Sequence, residues 1–151
     1  MNKTISGFDS LDKKLAALGD AKSVQKVIRQ AVGFAMTPMV KQAQKDIPES
    51  GDSYQLKDGR IVAPGFARRS IKKITQKGSQ GDDFIARGLV GVRPSAWFAT
   101  LYDGGFQRQG GASEPGNNWL TDAGKDNVNI AISRFQQKLA KAIIKESRRN
   151  A

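Results

Sequence analysis

The sequence predicts an α+β fold, in which an antiparallel sheet of three or four strands packs against a long helix in the N-terminal half and a long C-terminal helix. Three observations lead to this prediction. Apolar residues recur every three or four positions in two long segments, which is the spacing of one helical face. Between these segments lie short runs rich in β-branched residues, separated by glycine and polar residues typical of turns. The chain has 151 residues and an ordinary globular composition, which suits a single domain.

Two helices are expected in the first third of the chain. A short one should run from about Asp9 to Leu18, and a longer one from about Ala21 to Asp46. Pro38 lies inside the longer pattern. Because proline has no N–H and crowds the preceding turn, we expect a kink there or a break just before it.

Residues 48–66 are rich in turn-forming residues and are predicted to be a flexible loop. Within this loop, Tyr54–Leu56 and Ile61–Ala63 could pair as a small hairpin across the intervening Asp-Gly turn.

A β region is expected next. Ser70–Gln76 and Asp83–Arg93 should form two antiparallel strands joined by a turn at Gly78–Asp82. Gly88 and Gly91 interrupt the second strand and are candidate β-bulges.

Aromatic residues cluster around the second half of the chain. A short helix is expected from Ser95 to about Tyr102, with Trp97 or Phe98, together with Leu101 and Tyr102, facing the sheet. The glycine-rich residues 103–118 are predicted to be a flexible loop. Trp119 follows this loop, so it is either a core residue or an anchor in a subunit interface.

The last predicted helix runs from Thr121 to Arg149, with Thr121 or Asp122 as its N-cap. Its apolar positions recur at helical spacing and are expected to face the core. They are Val128, Ile132, Phe135, Leu139 and Ala142 or Ile143.

Composition excludes several classes of catalytic and metal site. The chain has no cysteine and no histidine, which excludes disulfides, thiolate metal sites, the Ser-His-Asp triad and histidine ligands for zinc. Its carboxylates are scattered, and its glycine-rich segment lacks the Gly-Lys-Ser/Thr pattern of a phosphate-binding loop. We therefore predict no catalytic residue, metal or cofactor. An enzyme that uses only aspartate and lysine is the remaining alternative of this class.

Hydropathy indicates where the chain works. No run approaches the roughly 20 apolar residues of a membrane span, and Met1–Ser10 lacks the apolar stretch of a secretory signal. We expect no membrane association, and a place in the cytoplasm or in an assembly built there.

Positive charge is the strongest compositional signal. The net charge is +11, from 25 basic and 14 acidic residues, and such a charge attracts polyanions. One basic stripe recurs at helical spacing on the last helix, at Arg134, Lys138, Lys141, Lys145 and Arg148. A second cluster lies at the start of the β region, at Arg68, Arg69, Lys72 and Lys73.

Each basic cluster has two interpretations. It is either a solvated surface whose aliphatic stems cover the edge of the core, or a surface that faces nucleic acid or an acidic partner. No ladder of aromatic residues accompanies either cluster, and no recognition-helix motif with base-reading Asn or Gln stands out. Any contact with DNA is therefore expected to be independent of sequence.

Short motifs also occur in a characteristic order. Ile5-Ser6-Gly7-Phe8-Asp9-Ser10-Leu11 precedes the helix that carries Pro38 and ends near Ile47-Pro48. Two further motifs follow before the terminal helix. They are Phe66-Ala67-Arg68-Arg69-Ser70-Ile71 and the segment from Val90-Gly91 to Gly104-Gly105. This order resembles the tail-completion (neck) proteins of long-tailed bacteriophages, the lambdoid tail components. The sequence departs from that family's pattern in residues 48–66 and 117–123.

The resemblance implies a virion structural protein at the head–tail junction, made in the host cytoplasm during assembly. It implies a homo-oligomeric ring around the DNA channel and no catalysis. The implied partners are further copies of the chain, other neck and tail proteins, and genomic DNA in passage. A tail-terminator or head-stopper role at the same junction and a stand-alone nucleic-acid-binding module remain alternatives.

Overall fold

A computed structural model describes residues 21–49, 51–79 and 85–149. The predicted helix at Asp9–Leu18 and most of the predicted turn at Gly78–Asp82 lie outside these residues.

The long N-terminal-half helix is divided in two, as Pro38 predicts. Helix α1 spans Ala21–Ala35 and helix α2 spans Thr37–Asp46, with a break at Met36. Pro38 occupies the first turn of α2, where no main-chain N–H is needed for helix hydrogen bonding.

The segment predicted to be a loop at residues 48–66 contains a small hairpin. Strand β1 (Tyr54–Gln55) pairs antiparallel with β2 (Ile61–Val62). This confirms the predicted hairpin with strands one residue shorter at their C-terminal ends. A five-residue helix, α3 (Phe66–Ser70), follows and leads directly into the next strand.

The predicted antiparallel pair is confirmed. Strand β3 (Ile71–Lys77) pairs with β4 (Ala86–Val92) in an uninterrupted register from Ile71↔Val92 to Lys77↔Ala86. The prediction of bulges at Gly88 and Gly91 is wrong, because both glycines are ordinary members of this register. Gly88 instead allows α1 to approach closely: a Cβ at Gly88 would lie 2.8 Å from Cγ1 of Val32.

The predicted short helix is divided. A 3₁₀ turn covers Pro94–Ala96, and helix α4 covers Ala99–Gly104. The segment predicted to be a loop at residues 103–118 contains the antiparallel strands β5 (Gly105–Gln107) and β6 (Ser113–Pro115). Gly105 has a φ of 82°, a conformation that favours glycine, where the chain turns from α4 into β5.

The terminal helix α5 spans Trp119–Arg149 and so begins two residues earlier than predicted. The α+β class is therefore confirmed, but the predicted sheet of three or four strands is wrong. The described strands form three separate two-stranded pairs, each between neighbours in sequence. Strands of two or three residues, such as β1, β2, β5 and β6, offer too few main-chain groups to extend a larger sheet.

Helix α1 lies between the β3–β4 hairpin and α5, and packs against both. Helix α2 packs against α5 and β3. Two apolar clusters result. The larger, around Ile71, Phe98 and Trp119, joins α2, the hairpin, α4 and the start of α5; the smaller, around Ile28 and Leu139, joins α1 to α5.

Candidate nucleic-acid interface

Helix α5 carries the basic stripe, and its N-terminus is fixed by a carboxylate from α4. Asp103 Oδ1 accepts hydrogen bonds from the main-chain N–H groups of Leu120 (2.7 Å) and Thr121 (3.1 Å). Asp103 Oδ2 accepts a third from the Thr121 hydroxyl (2.7 Å). The predicted N-cap, Thr121 or Asp122, is therefore wrong, because Asp103 satisfies the helix N–H groups from outside.

The same contacts determine the charge state of Asp103. Partial burial raises the pKa of a carboxyl group, but hydrogen bonds from Thr121 and Leu120, with Lys125 nearby, hold the pKa of Asp103 below its usual value. A fixed negative charge therefore faces the positive end of the α5 dipole.

Trp119 gives α5 a second anchor. Its side chain is 2% exposed, and its indole N–H donates a hydrogen bond to the Ala99 carbonyl (3.1 Å). Since Trp119 is part of the core of its own chain, its interpretation as an interface anchor is wrong. The signal missed in the sequence was Asp103, which binds the same helix start from 17 residues away.

The other predicted aromatic residues are divided between core and surface. Phe98 is buried in the larger apolar cluster, which includes Ile71 of β3, and its ring stacks on Phe66. Trp97 is 53% exposed and meets Phe98 edge-on. Tyr102 is exposed and packs against Phe106 rather than the sheet.

The smaller core cluster determines which side of α5 faces solvent. Leu139 is buried against Ile28 and Ala31 of α1, with Phe135 partly buried beside them. Lys138 lies about 100° around the helix from Leu139, and Lys141 lies about 160° from it, so the basic stripe runs from the edge of the α1–α5 contact onto the solvent side of α5.

Two basic side chains, one from each predicted cluster, converge on the break between α1 and α2. Pro38 has no N–H to give to the Phe34 carbonyl four residues earlier, and Arg134 Nε donates a hydrogen bond to that carbonyl (3.4 Å). On the side of the hairpin, Lys73 Nζ donates to the Gly33 carbonyl (2.6 Å) and to the Thr37 hydroxyl (2.8 Å). Both cations therefore compensate the negative C-terminal end of α1.

Phe34 holds the first part of the stripe in place. The Arg134 guanidinium lies 4.0 Å from the Phe34 ring centroid, and Lys138 Nζ lies 5.4 Å from it. Both are cation–π distances. In the sequence, Pro38 lies four residues after Phe34, which indicates that the Phe34 carbonyl lacks its helical N–H partner. The sequence does not indicate that Arg134 would bind this carbonyl and the Phe34 ring.

The rest of the stripe is exposed to solvent. Lys141, Lys145 and Arg148 are exposed and have no ion-pair or hydrogen-bond partner among the residues described. Arg134 to Arg148 is 14 residues, or about 21 Å of helix. One strand of DNA presents about six phosphates over that axial length.

The cluster at the start of the β region is dispersed by the fold. Arg68 forms an ion pair with Glu49 (3.1 Å), and Arg69 donates a hydrogen bond to the Pro64 carbonyl (3.1 Å). Lys73 faces the α1–α2 break, whereas Lys72 lies on the opposite, outer face of the hairpin. These four residues do not form one patch, so the α5 stripe is the better candidate for a polyanion-binding surface.

Within the described residues, no group of three or more carboxylates and other metal-binding side chains comes together.

A cavity of about 260 Å³ lies beside Tyr54, Phe66, Phe98 and Tyr102, with Glu49 at its edge. Burial, and then the neighbouring Tyr102, raise the pKa of Tyr54.

No family model, no curated protein and no solved structure matches this chain. None of the described helices is both long enough and apolar enough to cross a membrane.

Proposed function

We propose that this chain is a structural protein of a phage virion, a tail-completion subunit that forms a homo-oligomeric ring around the DNA channel at the head–tail junction. In this role it has no catalytic activity. Its copies meet one another and the neighbouring neck and tail proteins, and they contact passing DNA without reading its sequence.

The observation that carries the proposal is the basic stripe on α5. Lys141, Lys145 and Arg148 are exposed cations on one face of a rigid helix, and Arg134 and Lys138 extend this face to the α1–α2 break. Such a row can neutralise several phosphates of one DNA strand without contacting a base edge. A DNA conduit requires contacts of this kind, because genomic DNA of every sequence must pass.

Lysine suits this task better than a rigid, bidentate group. Its ammonium is a strongly hydrated point charge on a flexible stem, so it attracts a phosphate without holding it in one geometry. Three of the five stripe residues are lysines, and the arginine at the start of the stripe is occupied by the Phe34 carbonyl.

Salt-dependent DNA binding tests the proposal. Fluorescence anisotropy would measure the affinity of the protein for two duplexes of unrelated sequence over a range of NaCl concentrations. Lys141→Gln/Lys145→Gln should reduce the slope of log affinity against log salt by about 2, since each phosphate contact contributes about 0.9. Affinity should fall equally for both duplexes.

The matched control is Lys41→Gln/Lys45→Gln, which removes two exposed lysines at the same spacing from α2. This control should leave the slope unchanged. An equal loss of slope in both variants would contradict a DNA surface on α5. Tight binding by a wild-type protein that remains monomeric would instead favour a stand-alone nucleic-acid-binding module.

A further inference from the structure

The β3–β4 hairpin has an outer face that nothing in the described part of the chain covers. Ile74 and Leu89 are directly opposite each other in the register and are 58% and 42% exposed. The inner face of the same hairpin packs on α1, where Gly88 lies beside Val32. Ile74 and Leu89 therefore form a small apolar patch that is exposed on the solvent side of the strand pair.

Cations lie on both sides of this apolar pair. Lys72 precedes Ile74 by two residues and Arg87 precedes Leu89 by two, so all four side chains lie on the outer face. Arg87 donates a hydrogen bond to Gln76 across the strands, which holds its guanidinium over the face (2.9 Å). The outer hairpin face is thus an apolar centre with a positive rim.

A surface of complementary chemistry occurs on the N-terminal half of α5. Asp122, Asp126 and Ile130 follow at intervals of four residues and form one row on the helix. Both aspartates are exposed, and Ile130 is 50% exposed. We call these three residues the acidic row.

The two carboxylates of the acidic row have no partner among the described residues. Five other carboxylates each have a named partner in the chain. These are Asp46, Glu49, Asp58, Asp103 and Glu114. In a chain of net charge +11, two neighbouring carboxylates that form no ion pair within the described residues are available to a cation from outside.

We infer that the outer hairpin face of one copy binds the acidic row of a second copy. Ile130 covers Ile74 and Leu89, while Asp122 and Asp126 meet the cations of the rim. Copies that each carry a charge of +11 repel one another, and a contact that pairs carboxylates with cations offsets this repulsion where the copies meet.

This inference rests on the proposed ring and identifies the surfaces that join its subunits. The two surfaces are different, so the contact is head-to-tail and each bound copy still presents one free surface of each kind. Contacts of this type continue from copy to copy and end only when a ring closes.

Charge reversal on each surface tests the inference. Mass photometry would measure the assembly of Lys72→Glu/Arg87→Glu, of Asp122→Lys/Asp126→Lys and of the chain that combines all four changes. Each double variant alone should associate about tenfold or more weakly than the wild type, because like charges then oppose each other. The combined variant should regain association, and so should an equimolar mixture of the two double variants.

The control is Lys41→Glu/Lys45→Glu, which changes the net charge as much as the hairpin variant but lies on α2. It should assemble like the wild type. Because negative charge in the first turn of α5 favours the helix, Asp126→Lys alone is measured beside the double variant, and thermal unfolding of each variant verifies its fold.

Wild-type assembly in both double variants, or no recovery in the combined variant and the mixture, would overturn the inference. If the hairpin variants associate like the wild type while Lys141→Gln/Lys145→Gln lowers the salt slope for DNA, the inference fails and the proposed function stands. If the charge reversals weaken association while Lys141→Gln/Lys145→Gln leaves the salt slope unchanged, the inference stands and the DNA-channel role fails. A wild-type protein that is monomeric at every concentration overturns both.

Discussion

Asp103 connects two helices that are separate in sequence. Its carboxylate accepts the N–H groups that begin α5 and the hydroxyl of Thr121. A residue just before a helix is the usual source of such a cap, and for that reason the sequence pattern pointed to Thr121 or Asp122. The true cap depends on the return of β6 towards α4, which no local pattern reports.

Replacement of Asp103 by alanine should destabilise the protein by about 1 kcal/mol, and up to about 2, because the N–H groups at the start of α5 lose their acceptor. Asp103→Asn should cost less, since the amide oxygen still accepts a hydrogen bond but carries no charge. Urea unfolding at neutral pH would measure both changes. Equal stability of the wild type and Asp103→Ala would contradict the assignment of Asp103 as the cap.

The lowered pKa of Asp103 also predicts a pH dependence. The folded state binds this proton less readily than the unfolded state, so the charge of Asp103 stabilises the fold fully above the unfolded pKa of about 4. This contribution is lost as the pH falls through the lower folded pKa. The difference in Tm between wild type and Asp103→Asn should therefore shrink below about pH 4, and a difference that is constant with pH would contradict the prediction.

Gly88 and Gly91 look alike in the sequence, but the structure gives them different neighbours. A Cβ at Gly88 would meet Val32 Cγ1 at 2.8 Å and would overlap the Met36 side chain, whereas a Cβ at Gly91 has no atom within 4 Å. Neither glycine has a positive φ. The need for glycine at residue 88 therefore arises from helix packing and not from the strand itself.

Gly88→Ala should cost about 1–3 kcal/mol, because the added methyl group overpacks the contact between the hairpin and α1. Gly91→Ala places the same group in open space on the outer face of the same strand and should be neutral or slightly stabilising. Thermal unfolding of the two variants compares them directly. Equal losses would mean that the hairpin does not approach α1 as closely as described.

At the scale of elements, local sequence patterns predicted where helices and strands occur but not which side of α5 is buried. Val128 and Ile132 were expected to face the core together with Leu139, and this part of the prediction is wrong, because both are exposed. The buried side of α5 follows Ala123, Ala131 and Leu139 and so turns gradually around the helix. Small alanines are weak signals of burial in a sequence, yet here they allow close helix packing.

Leu139→Ala should destabilise the protein by about 2–5 kcal/mol, because it removes a buried side chain between α1 and α5. Ile132→Ala lies on the same helix at an exposed position and should cost less than about 1 kcal/mol. Denaturant unfolding would measure both variants. A larger loss for Ile132 than for Leu139 would reverse the buried and exposed sides of α5.

The strands show a related difference between local and long-range information. The pairing of β3 with β4 was predictable from two β-rich runs and an intervening turn, because the partners are close in sequence. Whether the three hairpins join into one larger sheet was not predictable, because this depends on contacts between segments far apart in sequence. In the structure β1–β2, β3–β4 and β5–β6 remain separate, and β3–β4 packs against helices. The β5–β6 hairpin was not predicted, because its strands, Gly-Phe-Gln and Ser-Glu-Pro, contain no β-branched residue.

For the candidate site, the sequence predicted the basic clusters but not which of their residues make contacts within the fold and which remain exposed. Lys73 and Arg134 belong to different predicted clusters, and both compensate the end of α1 beside Pro38. Arg68 and Arg69 are held by Glu49 and by the Pro64 carbonyl. Only the fold separates these structural cations from the exposed cations of α5.

At the scale of the whole molecule, each surface with an unmatched property suggests a partner. Among the residues that the structure describes, the exposed cations of the α5 stripe have no ion-pair partner, the apolar side chains of the outer hairpin face have no cover, and the carboxylates of the acidic row have no ion-pair partner. A single copy leaves all three unsatisfied. A closed ring would pair the outer hairpin face with the acidic row and leave the α5 stripe free to contact a polyanion.

Negative-stain electron microscopy of the purified protein over a range of concentrations is the most direct test of the proposed ring. We expect closed rings of uniform copy number with a central opening wide enough for duplex DNA. Particles that remain single copies at every concentration, alone and with DNA, would contradict it.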